Sequence, residues 1–393
     1  LHSSQGRVTM TDTTWLTLHR VAFLALALSG CANEKNPTGG PPSPAPPPPP
    51  PLDYLTFGQV SAGDTHTCGV TTDGTSYCWG NNFDGQLGTE TPSNRMTPAR
   101  VAVESLSFIM VDAGFRHSCA ITPVGAPYCW GYNGSGQLGD GTTTAHTKPT
   151  AALGGLELVA VSASFTHTCG LSTRGAIYCW GNNWSGQIGD STTTERLSPV
   201  RVASALQFRT VSTGYLHTCA ITLAGAAYCW GYNFGGQLGD GTTTDRSSPV
   251  AVQGGLTFAR VRAGYSHTCG ITVDSAAYCW GNNQNGQLGD GSTVSGSTPV
   301  AVLGGLRFAL LSAGYASTCG VTFDGTTFCW GRNSRGELGD GTTTDRATPT
   351  LVQPSAPGLS VLAVTSLNTG GGHPCGNGRA SCRERGEISG GAG

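Results

Sequence analysis

The sequence predicts an all-β chain folded as a β-propeller, with six complete blades and a truncated seventh. Three observations carry that prediction. A unit of about fifty residues recurs six times, marked by Trp79, Trp130, Trp180, Trp230, Trp280 and Trp330. A period that long belongs to architectures in which each unit buries its apolar surface against its neighbours. Glycine reaches 60 of 393 residues while only 11% are charged, the composition of short strands and tight turns. No stretch of the repeats holds a capped, 3.6-residue apolar period, so no helix is expected there.

Residues 1–9 precede Met10 and read as translated upstream sequence. Residues 10–30 read as a signal peptide, because the apolar run VAFLALALSG is far shorter than the roughly 20 residues that span a bilayer. Leu28-Ser29-Gly30-Cys31 resembles the lipobox of bacterial lipoproteins. That resemblance implies lipidation of Cys31, which becomes the mature N-terminus, and with Ala32 following it implies an outer-membrane or extracellular address. Residues 31–53 then form a tether around PPSPAPPPPPP, a polyproline II spacer rising about 3.1 Å per residue.

The propeller is expected over 54–352, with four short strands per unit; in the first unit these are 58–63, 66–71, 75–80 and an edge segment from 98 to 101. Residues 353–393 begin a seventh unit, since GLSVLAV echoes GLTFARV, and then change abruptly to an Arg-, Gly- and Ser-rich tail that reads as aberrant.

Each unit carries two cysteines ten positions apart, around a turn such as Thr72-Asp73-Gly74. A three-residue hairpin loop with glycine in the left-handed region sets Cys68 opposite Cys78, close enough for a cross-strand disulfide. Glycine fills that place in five units and Ser275 in the fifth. The same register pairs Cys119 with Cys129, Cys169 with Cys179, Cys219 with Cys229, Cys269 with Cys279 and Cys319 with Cys329. An exported chain meets the oxidising conditions these bridges need. Zinc is the competing reading, because His66, His117, His167, His217 and His267 each stand two residues before a cysteine. One histidine and one cysteine pair per unit does not make the paired-ligand spacing of a zinc site, so neither metal nor cofactor is expected.

The segment HTCGITVDSAAYCWGNNQNGQLGDG at 267–291 and its five relatives resemble the regulator of chromosome condensation repeat, above all in Trp-Gly-x-Asn-x-x-Gly-Gln-Leu-Gly. The sixth unit departs from it with Glu337 in place of the glutamine. The resemblance covers about 300 residues and implies a propeller of seven four-stranded blades; this chain has six units and a stub. The family's founder is a nucleotide-exchange factor bound to chromatin, which a lipid-anchored surface protein would not meet. A bacterial propeller that grips a β-lactamase through one rim is the better precedent for the mode of use.

Variation is concentrated at two loop positions. One precedes the histidine and carries Phe115, Phe165, Tyr215, Tyr265 and Tyr315; the other follows Trp-Gly and carries Phe83, Trp184 and Phe234. Stacked blades place equivalent positions in rings, so these aromatics are the candidate binding residues, through large contact area at low entropic cost. The bland alternative is that they are wedged between blades as core. The single carboxylate in each Asp-Gly-Thr-Thr-Thr loop is too little for calcium and fits a tight turn. No catalytic constellation is legible, and with a net charge of -2 and no Lys/Arg run a nucleic-acid partner is not expected. The expected function is a surface-tethered binding module that recognises a protein or an envelope glycan through one loop rim, held to the membrane by its lipid alone. The alternatives are a hydrolase with its site in the channel mouth, or a structural envelope protein.

Overall fold

The computed structural model describes residues 55–103 and 105–353, together with two short strands, Leu367–Thr369 and Pro374–Gly376. The expected signal peptide, tether, Cys31 anchor and most of the expected tail lie outside the described residues.

The six units form six antiparallel sheets of four strands each, every sheet a simple meander. In the first blade the strands are Phe57–Ala62, His66–Thr71, Ser76–Gly80 and Arg95–Arg100. The first three match the sequence expectation to within a residue. The fourth begins at Arg95 rather than 98, because a bulge opposite Trp79 shifts its register and lets Arg95 face Gly80. Gly80 sits at φ +106 with the carbonyl of Thr65 only 2.6 Å from where a Cβ would stand, which explains why glycine follows the tryptophan.

The second strand of each blade is buried almost throughout, whereas the fourth is exposed in the first blade and mostly half-buried in the others. First strands of successive blades lie against one another and ring the axis. The last pair, Leu367–Thr369 with Pro374–Gly376, sets Asn368 opposite Cys375, as Ser312 faces Cys319 in the sixth blade. It therefore repeats the register of a blade's first two strands. Leu367–Thr369 lies against the sixth blade on one side and against the first strand of the first blade on the other.

All six disulfides form as the hairpin register requires, each with Cα atoms 4.1 Å apart. Ser275 takes the glycine's place in the turn at φ +70, so that hairpin keeps its shape without the glycine. The cysteine sulfurs of the repeats are thus taken up in bridges, and zinc thiolate ligation has no ligands there.

Each of the first five blades shares its core with the next blade. Cys68, Cys78 and Leu87 of the first blade pack with Phe108, Val111 and Trp130 of the second, and the arrangement repeats around the ring. Polar groups lock the same interfaces. The carbonyl of Gln86 accepts the indole N–H of Trp130 and the hydroxyl of Ser118, both at 2.9 Å. Because that hydroxyl gives its single proton to Gln86, His66 must donate from Nε2 to Ser118 Oγ at 2.8 Å. His117, His167, His217 and His267 repeat the bond to a threonine one blade on. Burial pushes these imidazoles down to about 4 or 3, so they are neutral.

Candidate functional site

Two loops of every blade, the first-to-second and the third-to-fourth, emerge on the same face, because the strands alternate in direction. Hydrogen bonds tie them together: Asn182 N donates to Thr166 O at 2.9 Å, and Asn81 N to Thr65 O at 2.8 Å. Both variable positions of the sequence therefore belong to one surface.

On its inner part, Phe115, Phe165, Tyr215, Tyr265 and Tyr315 pack ring against ring in a continuous arc across five blades, Tyr215 stacked on Tyr265 and Phe165 edge-on to Tyr215. Successive ring centroids are 3.8, 4.6, 4.1 and 4.3 Å apart. Such close rings are mutually stabilising, by about 0.5–1.5 kcal/mol per pair beyond their burial. The backbone prepares the arc, since Phe115 N reaches Ser164 O and Tyr265 N reaches Gly314 O in the following blade. Burial and the neighbouring Tyr215 hydroxyl hold the Tyr265 phenol well above the usual tyrosine range, so it stays a donor. The rings are not sealed between sheets as a core: four are half-buried and Tyr315 is exposed.

Further out on the same face, Phe83, Trp184 and Phe234 are 77%, 76% and 78% exposed. The loop beneath each is stiff. Asn183 is fully buried, accepts from Ile188 N and donates to Asp190, Thr192 O and Thr194 O. Asp190 in turn holds Arg196 and Thr192, and these bonds keep its carboxyl below the usual range. The aspartate loops are thus framework, as the tight-turn reading expected. Between the first two blades Arg116 clasps Asp84 through two bonds of 2.6 and 2.9 Å, with its guanidinium 4.9 Å from the centre of the Tyr132 ring.

The sequence did not single out two further features. The hairpin turns on the opposite face carry exposed apolar tips at Val124, Leu223, Val273 and Phe323. The inner strands carry Asp112 and Arg262, at the position opposite the first cysteine of their blades. Asp112 accepts from Ser61 Oγ and Ala163 N, and burial pushes its carboxyl up to about 6.

Known proteins bear the same stamp. Among curated relatives, the ultraviolet-B receptor UVR8 of Arabidopsis thaliana is 37% identical over 92 residues, covering 23% of this chain and 21% of its own. The probable E3 ubiquitin-protein ligase HERC3 of Homo sapiens is 42% identical over 91 residues, 22% of this chain and 9% of its own. The chain thus spans about a fifth or less of the curated relatives it matches. Human WBSCR16 superimposes with a TM-score of 0.73 at 21% identity, over 82% of this chain and 86% of that one. Yeast RCC1 (Prp20), in a structure bound to Kap60, superimposes with a TM-score of 0.70 at 19% identity, over 80% and 78%. With the profile of the RCC1-like domain matching residues 28–375, and the repeat, the meander blades and the ring all in place, this chain belongs to the RCC1-like domain family.

Proposed function

We propose that the protein is a binding propeller, held at a cell envelope through Cys31, that captures a protein partner on the face built from its aromatic loops. One observation carries this reading: the contiguous aromatic arc from Phe115 to Tyr315 and the exposed Phe83, Trp184 and Phe234 share that face. Large exposed aromatics on stiff loops fit the anchors of protein interfaces, since little side-chain entropy is lost when they are covered. RCC1-like propellers provide a precedent, since the yeast protein Prp20 was crystallised with a protein, Kap60.

The test is quantitative capture from envelope extract on the immobilised propeller, comparing Trp184→Ser/Phe234→Ser with a control altered on the opposite face, Leu223→Ser/Phe323→Ser. The expected result is one partner retained by the wild type and the control and lost by the first variant. Equal capture by all three would reject this face.

A further inference from the structure

The position opposite the first cysteine on each inner strand follows a rule. Ser61, Asp112, Ser162 and Ser212 each use a side-chain oxygen to accept the free backbone N–H of the next blade's inner strand, at Ala113, Ala163, Thr213 and Ala263. They cap the edge that the ring would otherwise leave bare. In the fifth blade the position is Arg262, which has no acceptor to offer.

Two residues back on the same strand, and on the same side of it, stands Arg260. Both arginines are reached by solvent, and among the described residues neither has a hydrogen-bond partner. The two guanidinium groups repel each other, and crowding by the inner strands holds that of Arg262 below the usual range. Its counter-charge is Asp112, at the same height three blades away and within electrostatic reach. The Asp112 oxygens, however, are engaged by Ser61 and Ala163. Among the described residues of the six blades, the axis therefore holds more positive charge than it neutralises, and the other four blades present Ser61, Ser162, Ser212 and Ser312 at this height.

We propose that the axial ring binds a small oxyanion, a phosphate or carboxylate free in solution, between the guanidinium groups of Arg260 and Arg262. Arginine presents a planar fork of donors matched to such groups, and charge-assisted bonds of this kind are strong where water is restricted. Asp112 opposes the anion from across the ring and sets its affinity.

The repeat itself supplies variants that keep the fold. Arg262→Ser and Asp112→Ser each install the residue already present at that position in blades one, three, four and six. Binding of inorganic phosphate, and separately of citrate, is read by isothermal calorimetry at ionic strength fixed with chloride, and phosphate also by broadening of its 31P resonance. The expected outcome is saturable binding to the full chain, weakened at least about tenfold in Arg262→Ser and tightened in Asp112→Ser. Phosphate binding with citrate excluded, or the reverse, identifies which oxyanion the ring accepts. Undiminished binding in Arg262→Ser, or no binding of either anion by the wild type, overturns the proposal.

Discussion

Trp180 donates its indole N–H to the carbonyl oxygen of Gln137, 2.9 Å away in the preceding blade. The same carbonyl takes the hydroxyl of Thr168 at 2.9 Å, so one backbone oxygen holds two side chains of the next unit. Trp180→Phe removes one of these bonds and leaves most of the ring contact. The expected cost is about 1–3 kcal/mol, against about 3–5 kcal/mol for Trp180→Ala, which also opens a cavity; urea unfolding at constant m-value measures both.

The bridge Cys169–Cys179 is fully buried beneath that tryptophan's neighbour. Replacing both cysteines by serine should lower stability by about 2–4 kcal/mol, through the freed loop in the unfolded chain and the unsatisfied hydroxyls in the folded one. Reduction of the wild type in urea should move its midpoint in the same direction.

Acid should loosen the ring. The five buried histidines titrate near 6.5 when unfolded and at about 3 to 4 when folded, so the unfolded chain binds their protons first. Their contribution is whole above pH 6.5 and is lost as pH falls, by up to about 1.4 kcal/mol per histidine per unit. Asp112 works the other way, taking a proton in the folded state near pH 6, but it is one group against five. Denaturant midpoints from pH 7.5 to 4.5 should therefore fall, and His217→Gln, which keeps a donor for Thr268, should flatten the slope.

Asn183→Ala deletes the hub of one face loop while leaving Trp184 in place. The Ile188 amide and two carbonyls lose their partner inside the protein, for an expected loss of about 3 kcal/mol. Hydrogen exchange should rise in residues 184–194 and stay unchanged in the distant fifth blade. Trp184→Ser, by contrast, removes a side chain that is 76% exposed and should change stability by less than about 0.5 kcal/mol.

The parts of the fold that could be read from the sequence are those fixed by short spacing. Cys68 and Cys78 name their own register because a three-residue turn leaves no other. The aromatic positions showed as a recurrence at one loop place. That Tyr215 and Tyr265 actually touch was hidden, because it depends on how closely blades approach near the axis. Asp112 and Arg262 were hidden for a different reason. They sit on the first strand, which carries no cysteine or tight turn to mark its register and is bulged between Phe57 and Gln59 in the first blade. The missing start of the fourth strand has the same origin, in the bulge beside Trp79.

The clasp between blades also bears on how such a chain can grow. Acceptor and donor, Gln137 and Trp180, lie 43 residues apart, as do Gln187 and Trp230. A gene duplication or unequal crossover that inserts one whole repeat length therefore delivers a cassette whose two ends already fit their new neighbours, wherever the cut falls. Recombination can change the number of blades in one step, and because the acceptor is a backbone oxygen present in every unit, any unit can receive any other's tryptophan.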